Sequence, residues 1–200
     1  MKHVSCNSEG IAQTLQSFRH GGIIIFPTDT IYGIGCNPYN EESVERIYKI
    51  KKREKRKPLP VLGYSKEDLE RIVDFDDTAN KIVDKFWPGP LTLILPLKDS
   101  KLRTLSNNTN TLAVRIPNNH CILSLLKECK LIIGTSANIS GDKPLVDPQN
   151  YNNIISKCDI FLNGGIINNS NESTIVEIVD KKIRILRKGV ISEKKIVEAV

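Results

Sequence analysis

Nowhere does this 200-residue chain hold an apolar run near the roughly 20 residues that a helix needs to cross a bilayer. Its longest apolar stretches are Ile23 to Phe26, Leu91 to Leu97 (broken by Thr92 and Pro96) and Leu131 to Ile133. The start, Met1-Lys2-His3-Val4-Ser5-Cys6, leads into polar residues where a secretory leader would carry its apolar centre. Both absences predict a cytoplasmic protein with no membrane partner. Cysteine is sparse too: Cys6, Cys36, Cys121, Cys129 and Cys158 form no Cys-x-x-Cys pair and have no histidine at zinc-ligand spacing. Reduced structural thiols are therefore expected. There is no internal repeat and no linker. With 40% hydrophobic and 26% charged residues, the composition fits neither a disordered chain nor a collagen or coiled coil. One domain over residues 1–200 is the expectation.

Positive charge is present but confined. Lys51 to Lys57 holds six basic residues and one acidic, a net of +5, whereas the other 193 residues hold 23 basic and 22 acidic, a net of +1. One cationic segment on a nearly neutral protein points to a localised anionic partner such as a nucleotide, phosphates or RNA.

The apolar pattern alternates between two periods. Ser8 is placed to cap a helix carrying Ile11, Leu15 and Phe18, which Gly21-Gly22 stops. Ile23 to Phe26 reads as a strand buried on both faces. Val44, Ile47 and Ile50 mark a helix that runs into the basic segment, and Leu59 to Leu62 a further strand. Ser65 with Asp68 resembles a capping box, and Ile82 with Phe86 suggests another helix. Strands are predicted at 91–95, 112–116, 131–133, 160–162, 174–179 and 183–186, with helices near 119–127, 148–155 and 192–199. Asp180-Lys181-Lys182 suggests a hairpin, so an α/β domain with a mixed sheet is expected.

Polar and glycine-rich segments follow four of these strands: Thr28-Asp29-Thr30, the basic run, Thr135-Ser136-Ala137-Asn138 and Gly164-Gly165 ahead of Glu172-Ser173-Thr174. Ligands of α/β sheets bind beyond strand ends, although each such loop taken singly also reads as a turn. Arg115 interrupts the apolar run Leu112 to Ile116 and needs an anion, either a protein carboxylate or a ligand. Arg187 has the same ambiguity. Trp87 reads as packing, and His120 as a surface or capping residue.

In order along nearly the whole chain, Pro27-Thr28-Asp29-Thr30-Ile31-Tyr32-Gly33, Lys51-Lys52-Arg53 to Lys57-Pro58-Leu59, Trp87-Pro88-Gly89-Pro90-Leu91-Thr92, Val114-Arg115-Ile116-Pro117, Thr135-Ser136-Ala137-Asn138-Ile139-Ser140-Gly141 and Ser173-Thr174 with Arg187 resemble the YrdC-like family of threonylcarbamoyl-adenylate synthases. The resemblance implies an open, twisted mixed sheet flanked by helices. It implies a nucleotidyltransferase that joins L-threonine, bicarbonate and ATP, releases pyrophosphate, and supplies a transferase that modifies tRNA. By motif position, Thr30, Arg115, Thr135 and Ser173 would hold threonine, and Arg53, Lys57, Thr111, Ser136, Asn138 and Arg187 would hold ATP. Catalysis would fall to Lys51, Arg53, Ser136 and Asn138, with Mg²⁺ on the phosphates and no metal held by protein ligands alone. Two departures touch this assignment: relatives vary at Lys57, and some carry a histidine where this chain has Leu62. Longer relatives add a C-terminal domain, so the short, single-domain form is expected. The rival reading is an RNA-binding or ribosome-maturation protein that uses the same basic surface.

Overall fold

The computed structural model describes residues 1–107, 109–150, 155–168, 171–179 and 182–200. In chain order the elements are β1 (Lys2–Ser5), α1 (Ser8–Arg19), β2 (Ile24–Phe26), β3 (Gly33–Gly35), α2 (Glu41–Lys51), β4 (Val61–Gly63), α3 (Lys66–Leu69), α4 (Asp77–Phe86), β5 (Leu91–Pro96), β6 (Thr111–Arg115), α5 (His120–Cys129), β7 (Leu131–Ile133), β8 (Thr135–Ser136), β9 (Ile160–Asn163), β10 (Thr174–Val179), β11 (Lys182–Arg187) and α6 (Glu193–Val197). Positions 151–154, half of the helix expected over 148–155, and positions 180–181 of the expected hairpin lie outside the described residues.

The strands form two mixed sheets flanked by helices, of order β1-β9-β2-β3-β8 and β11-β10-β5-β6-β4-β7. The mixed α/β class expected from the sequence is thus present, divided into two sheets. The division falls at Gly134: β7 ends one sheet at Ile133, and β8 begins the edge of the other at Thr135. A Cβ on Gly134 would lie 2.4 Å from the Leu62 side chain, so the crossing is packed tightly. The two sheets share one core, in which Ile25 and Ile34 of the first meet Val61, Leu93 and Val114 of the second. On the opposite face of β2, Ile24 and Phe26 pack with Ile122, Leu125 and Leu126 of α5. Continuous burial on both faces is what the unbroken apolar run predicted.

Several local expectations shift for identifiable reasons. Asn7, not Ser8, caps α1, its Oδ1 accepting from Gly10 N at 2.8 Å. Ser65 does cap α3. The strands β10 and β11 on either side of the hairpin expected at Asp180-Lys181-Lys182 pair antiparallel. Three strands carry no apolar signature: β1 buries only Val4, β8 is two residues long, and β3 reads Gly-Ile-Gly. In β3 the glycines answer to close approach, because a Cβ on Gly35 would lie 1.8 Å from the Ile133 carbonyl oxygen. The expectation of five reduced thiols is corrected, since Cys6 and Cys121 are joined as a disulfide between the start of α1 and the start of α5. Burial pushes the remaining thiols, Cys36, Cys129 and Cys158, up to about 12. Among the described residues no helix is long and apolar enough to cross a membrane.

The Gly35 contact is backbone on backbone, with no flexible side chain to yield. We expect Gly35→Ala to lose about 1–3 kcal/mol or more of stability, read as a lowered denaturation midpoint. An unchanged midpoint would mean that β3 and Ile133 can separate freely.

Candidate functional site

The seam between the sheets is where the polar loops collect. Helix α2 ends at Lys52, which adopts the left-handed region (φ 49°) and turns the chain so that Arg53 N donates to Tyr48 O. That turn separates Lys51 and Arg53 from the rest of the basic run. Lys51 is 1% exposed. Its Nζ donates to Ser136 O, to Asn138 O at 2.8 Å and to Asn138 Oδ1 at 3.4 Å, while Ser140 N returns a bond to Lys51 O. The ammonium therefore ties the end of α2 to the loop after β8. Burial, with Arg53 adding to it, pushes its pKa down to about 7, and Glu172 opposes the shift. Arg53 turns Nε and Nη2 toward the carbonyls of Lys57 and Pro58, at 3.3 and 2.9 Å. The outer cations face away: Lys55 pairs with Glu45 at 2.9 Å, and Arg56 pairs with Glu54.

Arg115, at the end of β6, is 6% exposed and meets the carboxylate that its burial demanded. Its Nη2 donates to Asp29 Oδ1 at 2.6 Å, its Nη1 to Thr30 Oγ1 at 3.2 Å and its Nε to Gly89 O at 2.9 Å. Desolvation lowers its pKa and Asp29 works against that. The Thr28-Thr30 loop is fixed from within, since Thr28 Oγ1 donates to Ile31 O and accepts from the amides of Thr30 and Ile31. Arg187, closing β11, donates through Nε to Ser173 O at 3.0 Å and through Nη2 to Ser173 Oγ at 2.9 Å. Its Nη1 lies 2.9 Å from Glu172 Oε2, and Thr92 Oγ1 meets Ser173 Oγ at 2.9 Å.

Two adjoining cavities result. The larger, of about 650 Å³, is lined by Lys51, Arg53, Lys57, Ser136, Asn138, Ser140, Glu172, Arg187 and Lys188, among others. The smaller, of about 310 Å³, is more apolar: Phe26, Ile31, Leu62, Ile94, Ala113 and Ile175 surround Thr30, Thr92, Arg115, Thr135 and Ser173. Arg53, Ser136, Glu172 and Arg187 line both. The four residues assigned to threonine all border the smaller cavity. Of those assigned to ATP, Arg53, Lys57, Ser136, Asn138 and Arg187 border the larger, while Thr111 lines neither and instead meets Thr109 near the start of β6. Trp87 packs edge-on against Phe75 and donates to Leu91 O, as its packing role predicts.

Sequence reasoning passed over three residues here. Asp29 answers Arg115, and Glu172 stands at the shared wall. Ser140 lines the larger cavity with a buried Oγ that has no hydrogen-bond partner among the described residues. The signal for Glu172 was present, as an acidic residue one position before the buried Ser173-Thr174 pair.

The profile of the Sua5/YciO/YrdC family, described as telomere recombination, matches residues 16–189. A putative threonylcarbamoyl-AMP synthase of Methanocaldococcus jannaschii is 37% identical over 180 residues, covering 88% of this chain and 84% of the relative. The threonylcarbamoyl-AMP synthase of Bacillus subtilis is 33% identical, covering 98% of this chain and 58% of the relative. Among solved structures, Pyrococcus abyssi Sua5 complexed with L-threonine superposes with a TM-score of 0.93 at 28% identity, over all of this chain and 61% of that one.

Lys51 gives a pH signature. Below about 7 both the folded and unfolded chains hold its proton, and the cost of burying the charge is complete. Between there and the ordinary lysine value near ~10.4 only the unfolded chain keeps the proton, so folding stability rises with pH through this window. The slope should approach ~1.4 kcal/mol per pH unit and be missing in Lys51→Met. Parallel curves for the two proteins would mean that the carbonyl acceptors hold the charge at no net cost.

Proposed function

Since the chain belongs to the Sua5/YciO/YrdC family, we propose that it forms threonylcarbamoyl-AMP from L-threonine, bicarbonate and ATP, releasing pyrophosphate. The observation that carries this reading is the pair of cavities with a shared wall. The smaller one suits an amino acid: apolar sides can receive the threonine methyl group, and Arg115 with Thr30 can receive its carboxylate. The larger one is cationic and roomy enough for a nucleotide. At the boundary, Arg53, Ser136 and Arg187 stand where two anionic substrates would meet. Such a reaction must gather a carboxylate, a carbamate and a triphosphate before any bond forms, and fixed cations lower that barrier without reorganising. The threonine amino nitrogen bonds to the bicarbonate carbon as that carbon's C–OH bond breaks, and the hydroxide takes up an amine proton and leaves as water, giving a carbamate. A carbamate oxygen then bonds to the α-phosphorus as the bond to the pyrophosphate leaving group breaks.

In this scheme Arg187 and Arg53 offset phosphate charge, Ser136 and Ser140 donate hydroxyls, and Asn138 with Lys51 acts by holding their loop. Magnesium, where it joins such reactions, binds through one or two carboxylates and the substrate phosphates, and supplies charge compensation there. Glu172 and Asp142 are carboxylates in the lining of the larger cavity and fit that requirement. No covalent nucleophile is needed. The class is then nucleotidyltransferase, its product an activated acyl-adenylate that a tRNA-modifying transferase must consume. The family match over residues 16–189 favours reading the chain as one YrdC-like domain.

The decisive assay is pyrophosphate release with and without threonine and bicarbonate. Release that needs both supports the reading, and release indifferent to threonine removes it. Serine should turn over less well by about 1–3 kcal/mol, the value of one methyl group in an apolar pocket. Arg53→Ala and Lys51→Ala should each lose about 2–4 kcal/mol of transition-state stabilisation. Lys55→Ala and Arg56→Ala remove only exposed pairs and should cost under about 1 kcal/mol. Equal losses at all four positions would instead favour a diffuse basic surface for RNA.

A further inference from the structure

Away from both cavities, the fold assembles one cluster of soft ligand atoms from Cys6, His120 and Cys121. Their ligating atoms all lie within 4.8 Å of one another. Sequence spacing conceals the cluster, because Cys6 and Cys121 are 115 residues apart and meet only where α1 packs on α5. Cys6 follows β1, while His120 and Cys121 open α5 behind its cap Asn119. Cys121 is buried, with a Cβ on Gly164 placed 3.3 Å from its Sγ, whereas Cys6 is half-buried and His120 exposed. The cluster therefore has a fixed inner ligand, two outer ones and an open approach from solvent.

The Cys6 Sγ to His120 Nε2 distance is 3.4 Å. Zinc bonds of about 2.3 Å to sulfur and about 2.0–2.1 Å to nitrogen at a tetrahedral angle would set these atoms roughly 3.5 Å apart. We propose that, once the Cys6–Cys121 bond is reduced, this cluster binds a zinc-class divalent cation through two thiolates and one imidazole, with the fourth position left to water. Reduction by a trialkylphosphine balances: phosphorus takes the oxygen of one water to become the oxide, and the sulfurs gain two electrons and that water's two protons. The cation then displaces those protons as it binds. Metal and disulfide are thus mutually exclusive states of the same two sulfurs. Among the described residues no other cysteine stands in such a group of three ligating side chains. The site also backs onto the substrate loop, because Asn118 N, two residues before His120, donates to Asp29 Oδ1 at 3.0 Å.

The test uses the whole chain, phosphine-reduced, stripped with a chelator and titrated with Zn²⁺ and with Co²⁺. One ion per chain, a thiolate-to-cobalt charge-transfer band, and zinc protection of two thiols from alkylation are expected. Cys6→Ser should abolish the protection. His120→Ala, a change at an exposed side chain that leaves the fold intact, should loosen binding by more than the roughly 10–100-fold typical of an outer partner. His20→Ala, on an exposed histidine elsewhere, should change nothing. No stoichiometric ion in the reduced protein, a cobalt spectrum without the thiolate band, or equal binding by the His120→Ala variant would each overturn the proposal.

Discussion

An ammonium group withdrawn from water holds the two halves of the site in register. Lys51 leaves the last turn of α2 and is surrounded by the carbonyls of Ser136 and Asn138, so the loop after β8 cannot move without exposing unsatisfied acceptors and a buried charge. Burying such a charge is costly, and several hydrogen bonds are needed to offset it. The return is rigidity at a place with little other support, since β8 is two residues long and lies at a sheet edge. Ser136, Asn138 and Ser140 are presented to the larger cavity because Lys51 fixes their backbone.

The remaining cations follow a related logic with different partners. Arg115 and Arg187 each keep a carboxylate beside them, Asp29 and Glu172, and each also binds a hydroxyl that lines the smaller cavity. The Arg115 pair is buried and the Arg187 pair is more than a third exposed, so the first is a structural commitment and the second can exchange partners at small cost. An anion arriving at Arg187 competes with Glu172. One arriving at Arg115 finds the guanidinium already oriented by Asp29 and Gly89, which lowers the entropy lost on binding.

Much of this was legible in the residues. Apolar runs located β2, β5, β6, β7, β9 and β10 because burial on one or both faces selects β-branched and aliphatic side chains at those positions. The strands that escaped notice, β1, β3 and β8, are set by long-range pairing: Gly33 and Gly35 are there for what lies against them, which no local pattern records. Within the basic run, the separation of Lys51 and Arg53 from Lys55 and Arg56 depends on one left-handed residue, Lys52, and on carboxylates at Glu45 and Glu54. The resemblance singled out Lys51 and Arg53, and the fold sets these two at the larger cavity while Lys55 and Arg56 pair with carboxylates outside it. Thr111 was the assignment with no geometric counterpart, as it faces Thr109 at the far end of the strand whose other end carries Arg115.

The wall between the cavities divides what the molecule is free to vary. Leu62, Ile94, Ala113 and Ile175 border the smaller cavity alone, and none of them touches the larger. Substitution among these four reshapes the smaller cavity while leaving Lys51, Lys57 and Lys188 in the lining of the larger one as they are. The two chambers meet at one wall but can change shape separately, so the apolar side of the site is a variable that the cationic side does not share.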